Sequence, residues 1–352
     1  LTAKTIVFFN NKGGVGKTTL ACNVVSYLNM HLGKRVLLVD GDPQCNATQS
    51  VLEEDLLGEI YWDRFSARKT LYHYLKPLER GEPSIEGTFE PVRSSENAYK
   101  TDLIAGHPNM SLVEDRLSQA WSDLQGADPI RGYRISNWMS QLLHSIGDRY
   151  DLIVFDVGPS LGALNRTILL SCDYIVTPFG SDIFSLLGIR NISAWIKSWS
   201  DDYERAVANL KRKNETILSE FSGIVDTSVK FRLAGYSVQQ YVKRKFKEKA
   251  RPVKAYDEII QDIPETVQES LGAFIPDFLK FEDLELGHIP FLYSLVPLAQ
   301  SQRVPIHALT QHKAVVGNQV RQVADYAQLM KVVCHRLLNN VNSQAAADVQ
   351  RP

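Results

Sequence analysis

A chain of 352 residues with 44% apolar content can bury a substantial core, and its length suits two domains or one large α/β domain. No apolar run approaches the ~20 residues a bilayer-spanning helix needs, and no signal peptide is expected ahead of the first apolar run. With 39 Lys and Arg against 40 Asp and Glu the formal charge is −1, so any attraction to nucleic acid has to be local; four scattered cysteines and eight histidines without ligand spacing argue against a metal or iron–sulfur centre and for a reducing, cytoplasmic compartment.

The run Ile6-Val7-Phe8-Phe9 predicts a buried parallel strand over residues 5–10. It leads into Asn11-Lys12-Gly13-Gly14-Val15-Gly16-Lys17-Thr18-Thr19. Beyond that loop, Ala21, Val24, Val25 and Leu28 recur at helical steps and Gly33 offers a stop, so a helix is expected as far as about Leu32. Strand, glycine-rich loop and helix are the setting of a phosphate-binding loop. Glycines lack Cβ atoms, so successive N–H groups can turn into one concavity, and the helix adds the positive end of its dipole. Lys17 then reaches the β- and γ-phosphates, and the Thr18 hydroxyl takes a place on Mg²⁺. Asn11 stands where the generic pattern has glycine, and Lys12 is a second lysine with no necessary task in one subunit's phosphate cradle.

K-G-G-V-G-K-T-T resembles the deviant Walker A motif of the ParA/MinD family of dimeric ATPases. The resemblance implies ATP as the nucleotide, with Asn11 to Thr19 as its cradle and Lys12 and Lys17 as catalytic lysines. Lys12 would reach across a nucleotide sandwich to the partner's phosphates in an ATP-dependent homodimer. ATP over GTP rests on this resemblance, because no guanine-reading N-K-x-D motif appears.

Val36-Leu37-Leu38-Val39 predicts the next buried strand, ending in Asp40-Gly41-Asp42-Pro43-Gln44 where open α/β sheets place ligands. D-x-D-P-Q resembles the family's switch I, which implies that Asp42 polarises the attacking water beside the metal and that Asp40 supports the magnesium shell. Trp62, Phe65, Leu71, Tyr72 and Leu75 predict a helix with an apolar face, and 102–108 resembles the family's middle strand and turn. His107 is read as a turn residue. A helix through Leu112, Leu117 and Trp121, loop composition over 123–135 and a helix from Trp138 to Ile146 complete this part.

Leu152-Ile153-Val154-Phe155-Asp156 has the Walker B pattern, four apolar residues ending in an acid that holds Mg²⁺ through water. Val157-Gly158-Pro159-Ser160 resembles switch II, with Gly158 where many members have proline. Tyr174 to Pro178 predicts a further strand, and the segment up to Ile189 fits the family's P-x-x-x-D/E-x-x-S-L-x-G pattern. Four apolar strands separated by helical patterns predict an α/β fold, a doubly wound and mostly parallel sheet of P-loop NTPase type with helical additions.

A helix from about Ile189 to Lys213 carries Ile192, Trp195, Ile196 and Trp199 on one face; the following strand is either 234–240 or 223–225. Nine basic residues and one acid lie between Lys230 and Lys254, and nine acids and one base between Ala255 and Glu285. Lys243, Arg244, Lys245, Lys247, Lys249, Arg251 and Lys254 are therefore either a nonspecific DNA surface or partners of the acidic run. Ile289-Pro290 to Pro305 resembles the family's last strand and the loop near the adenine. A terminal helix carries Val320, Val323, Tyr326 and Leu329, and the polar tail is expected to fray. The expected organisation is one ATPase domain over 1–339, elaborated at about 200–287, with a tail over 340–352.

The leading functional expectation is an ATPase that dimerises around ATP, hydrolyses it with the help of an adaptor protein, and partitions or positions DNA or another cargo, on the nucleoid where DNA is bound. A membrane-cycling ATPase of MinD kind needs a basic amphipathic C-terminal helix, which the alanine-rich polar tail does not offer. A biosynthetic carboxylate-phosphorylating enzyme would need no Lys12. A regulatory subunit of a mobile-element or defence cassette stays open.

Overall fold

Alternate residues of each central strand serve opposite faces of the sheet, which is why the strands read as apolar throughout. Ile6 and Phe8 enter one core cluster while Val7 and Phe9 enter the other; Leu38 and Val154 side with the first, Leu37 and Phe155 with the second. The computed structural model describes residues 3–63, 65–213, 231–241, 252–312 and 315–348, with the single positions 216, 221 and 229.

In chain order the elements begin β1 (Lys4–Phe8), α1 (Lys17–Leu32), β2 (Val36–Asp40), α2 (Asn46–Val51), α3 (Glu54–Tyr61), α4 (Leu71–Glu79), β3 (Asp102–Ile104) and α5 (Met110–Gln125). They continue with α6 (Pro129–Ser136), α7 (Trp138–Ile146), β4 (Leu152–Asp156), α8 (Ala163–Ser171), β5 (Tyr174–Gly180) and α9 (Ile183–Lys213). The last are β6 (Arg232–Tyr241), α10 (Pro252–Leu271), β7 (Glu285–Pro290), α11 (Leu295–Gln302) and α12 (Asn318–Asp348). Seven strands form one sheet in the order β3-β2-β4-β1-β5-β6-β7, and every neighbouring pair is parallel. Helices α1, α11 and α12 cover one face, and α4 to α10 the other. This is the expected doubly wound α/β architecture.

The sheet order decides where the motifs meet. β4 inserts between β1 and β2, so Asp156 is in register with Phe8 on one side and Asp40 on the other. Three motifs far apart in sequence thus emerge side by side at the carboxyl edge of the sheet.

Several expectations are corrected. Trp62 and Phe65 belong to no helical face: α3 stops at Tyr61 and the Phe65 N–H donates to Asp63 Oδ1 at 2.9 Å, a local turn that leaves the two rings 85% and 96% exposed. Leu71, Tyr72 and Leu75 are buried on α4. Most of the stretch expected as loop over 123–135 is helical, because Asp128 accepts from the Arg131 N–H and Pro129 occupies the first helical position. Leu112 is exposed while Leu117 and Trp121 are buried. α9 begins at Ile183 rather than near Ile189, and the strand after it is Arg232–Tyr241; its rival at 223–225 lies outside the described residues.

Nor does the helix end at Asn339. α12 runs to Asp348, and its polar Asn340 is buried with its amide donating to Ala234 O (2.6 Å) and Asp283 O (2.8 Å). Lys4 Nζ donates to the Val341 carbonyl nearby. No helix among the described residues is long and apolar enough to cross a membrane.

Candidate functional site

The loop between β1 and α1 is shaped by three residues. The Asn10 amide donates to Pro178 O at 2.7 Å while its carbonyl accepts the Lys12 N–H at 2.9 Å, fastening the loop to β5. Gly14 and Gly16 take left-handed φ values of 74° and 81°, which a side chain would strain. Gly16 caps α1 without a side-chain acceptor, so the first-turn N–H groups remain available to an anion.

Lys17 is 7% exposed, and its ammonium donates to Lys12 O at 2.9 Å, across the loop. Burial lowers its pKa, and the Asp156 and Asp42 carboxylates pull it back up. Lys12 turns the other way, forming an ion pair with Asp182 at 2.5 Å. The two lysines of the motif thus have different partners.

Asp40 is fully buried. Its Oδ2 accepts from Thr48 N (2.8 Å) and Thr48 Oγ1 (2.6 Å), and its Oδ1 from Asp42 N (3.2 Å). Burial nevertheless pushes its pKa up to about 6. With both oxygens engaged, Asp40 fixes the position of α2. Asp42 lines the cleft, and its Oδ1 accepts from Gln44 N at 3.0 Å. A Cβ on Gly158 would come within 3.0 Å of that oxygen, so glycine here admits the close approach of the two switch segments.

Asp156 is the opposite case. It is 0% exposed and neither carboxylate oxygen has a hydrogen-bond partner. Burial raises its pKa well above the usual carboxylate range and the Asp40 charge adds to this, while the nearby Thr18 hydroxyl and Lys17 ammonium oppose it. An unpartnered acid beside Thr18 fits a Mg²⁺ site. Among the described residues no group of three or more His, Cys, Asp or Glu forms a metal cage. A Mg²⁺ on a triphosphate needs none, since phosphate oxygens and water supply most of its ligands.

A cleft of about 800 Å³ runs from Gly13, Gly14 and Gly16–Thr19 past Asp42 to Pro290 at the end of β7, the following Phe291 to Tyr293, and Gln300 and Arg303. Three features in and beside this cleft escaped sequence reasoning. Gln239, buried at the end of β6, stands where a Cβ on Gly16 would meet its Oε1 at 3.3 Å; its place at a strand's carboxyl end was the available signal. Asp182, lying in the matched family pattern, gave no sign that it would hold Lys12. Arg303 donates to Gln49 O (3.1 Å) and Leu52 O (2.5 Å) and pairs with Glu54 (3.2 Å), which sequence distance conceals. Lys243, Arg244, Lys245, Lys247, Lys249 and Arg251 lie outside the described residues, as does the side chain of Lys254 in α10.

The AAA domain family profile matches residues 3–211, more than half of the chain. The chain is 33% identical over 195 residues to the chromosome-partitioning ATPase Soj of Thermus thermophilus, covering 55% of this chain and 61% of that protein. It is 32% identical over 189 residues to a virulence plasmid ParA family protein, pGP5-D, of Chlamydia psittaci, covering 54% and 61%. Each match spans about three fifths of the relative's length. The crystal structure of protein DIP2308 from Corynebacterium diphtheriae superposes with a TM-score of 0.74 at 30% identity, covering 97% of this chain and 99% of that one. The chain therefore belongs to the AAA domain family, as a ParA-type P-loop ATPase.

Proposed function

We propose that the chain binds MgATP with its phosphates on the Gly13–Thr19 loop, hydrolyses it, and forms an ATP-dependent homodimer whose cycle partitions or positions DNA or another cargo. The observation that carries this reading is Asp156, a buried carboxylate without a partner beside Thr18 and Lys17. The relatives named for plasmid and chromosome partition support the cargo class.

In this reading the open N–H groups at the start of α1 receive the β-phosphate, and Lys17 leaves the Lys12 carbonyl for the phosphates. Thr18 and Asp156 would hold Mg²⁺, which would supply neutralisation of the negative charge on the phosphates. Asp42 accepts a proton from the attacking water or orients it. Lys12 acts across the dimer, which requires its pair with Asp182 to open. DNA binding is assigned to the basic segment around Lys243–Lys254, and an adaptor protein is assigned the stimulation of hydrolysis.

The primary test is Lys17→Ala in titration calorimetry with MgATP. Loss of measurable binding is expected, and retention of full affinity would sink the phosphate assignment.

A further inference from the structure

We propose that Tyr61 is a positioning residue for ATP hydrolysis: its hydroxyl, acting through the Gly106 backbone and Thr48, sets where Asp40 holds the switch I turn and with it Asp42. The proposal rests on the reading in which Asp42 orients the attacking water. Tyr61 is the last residue of α3, outside the phosphate-binding loop and both acid-ended strands, and it is not among the residues that line the cleft.

The hydrogen bonds run in one direction. Tyr61 Oη donates to Gly106 O at 2.6 Å, just past the end of β3. The Gly106 N–H donates to Thr48 Oγ1 at 2.9 Å. That hydroxyl donates in turn to Asp40 Oδ2 at 2.6 Å, and the Thr48 N–H reaches the same oxygen at 2.8 Å. Asp40 Oδ1 then accepts the Asp42 N–H at 3.2 Å. Asp40, Thr48 and Gly106 are buried and Tyr61 is half-buried, so a lost link leaves a polar group unpaired in a poorly solvated place. Burial, and then Cys45 and Asp40, push the phenol's pKa up, which keeps Tyr61 a donor.

The turn after β3 also touches the carboxylate directly. A Cβ on Gly106 would stand 3.0 Å from Asp40 Cγ and 3.2 Å from its Oδ2, so a displaced turn presses on Asp40. The Tyr61 hydroxyl pins that turn from the side of α3. Its ring meets the His107 ring with centroids 5.7 Å apart, a contact that phenylalanine keeps, so Tyr61→Phe isolates the hydroxyl. Neither Lys17 nor the loop glycines belong to this chain of bonds. Losing it should therefore slow turnover without loosening ATP, the pattern of an effect confined to the transition state.

Steady-state hydrolysis of MgATP, calorimetry with MgATP, and amide hydrogen exchange of the nucleotide-free protein test this on the wild type, Tyr61→Phe, Thr48→Val and Thr48→Ser. Tyr61→Phe is expected to lower kcat about 3- to 10-fold, the scale of one net hydrogen bond, and to leave Kd for ATP within about twofold of the wild type. Thr48→Val should lower kcat further, whereas Thr48→Ser, which keeps the hydroxyl, should restore it. Without nucleotide, exchange in Tyr61→Phe should quicken over residues 40–48 while β1 and β5 stay protected. A wild-type kcat in Tyr61→Phe overturns the proposal, and so does unchanged exchange over 40–48. Equal losses of kcat and ATP affinity overturn it as well, because the hydroxyl would then shape the whole cleft. A wild type that does not hydrolyse ATP fails the ATPase reading and this proposal with it; an active wild type beside an equally active Tyr61→Phe fails this proposal alone.

Discussion

Asp156→Asn should make the ligand-free protein more stable and the MgATP complex less so. In the free protein the carboxylate is fully buried, unpartnered, and in register with the equally buried Asp40 on β2. Burial holds its pKa well up, so near neutral pH the fold bears either a buried charge that Thr18 and Lys17 offset only in part or the free-energy cost of keeping the proton. An amide of nearly the same shape removes both. An unsatisfied buried polar group costs about 1–3 kcal/mol, more when charged, and asparagine keeps part of that penalty, so a gain of about 1–2 kcal/mol is expected. In a large domain that is on the order of 2–4 °C in Tm. Saturating ligand shifts the balance the other way: at one hundred times Kd, binding stabilises the wild type by about 2.7 kcal/mol. Thermal melts in EDTA and in MgATP should therefore cross, the variant melting higher in the first and lower in the second. A variant that melts below the wild type in EDTA would show that the carboxylate stabilises the free fold. Equal gains from MgATP would remove it from the metal site.

Lys12→Ala should still bind ATP but stay monomeric, whereas Asp42→Ala should accumulate an ATP-bound dimer with slow turnover; light scattering with and without ATP reads both, and a monomeric Asp42 variant beside a dimeric Lys12 variant contradicts the sandwich. Neutralising Lys243, Arg244, Lys245 and Lys247 together should flatten the log–log salt dependence of duplex DNA binding by about one for each phosphate no longer neutralised, measured by fluorescence anisotropy with ATP, and an unchanged slope would return the segment to its acidic neighbour. His307, buried against His31 and Tyr27, has its pKa lowered by burial from 6.5 to about 3. The unfolded state therefore takes up a proton that the fold refuses, so this residue's contribution is present above pH 6.5 and is lost as pH falls toward 3. Urea unfolding at pH 6.5 and 4.5 should show His307→Leu losing about 2–3 kcal/mol less than the wild type over that interval, and equal losses would count against it.

The P-loop, both acid-ended strands and the α/β class were legible because their signals are local: an apolar run, then glycines or an acid at a strand's end. Trp62 and Phe65 misled because aromatic residues spaced for a helix carry no information about the turn at Asp63 that interrupts it. The stretch over 123–135 was misread on composition, although Asp128-Pro129 is a helix-start signal. The buried end of α12 could not be read at all: Asn340 and Val341 look like tail, and only the carbonyls of Ala234 and Asp283, remote in sequence, make them core. Within the site, Asp40 and Asp156 carry the same chemical signal in sequence. What separates them is Thr48, which donates twice to Asp40 and not to Asp156.

That asymmetry gives α2 its place in the site. Near its N-terminal end, Thr48 is held by Asp40 from the strand that leads to Asp42. At its other end, the carbonyls of Gln49 and Leu52 are held by Arg303, which lines the same cleft as the phosphate-binding loop. A six-residue helix with no side-chain cap of its own thus depends on both ends of the cleft for its position. Isolated, so short a helix would not form. Its order is borrowed from Asp40 at one end and Arg303 at the other.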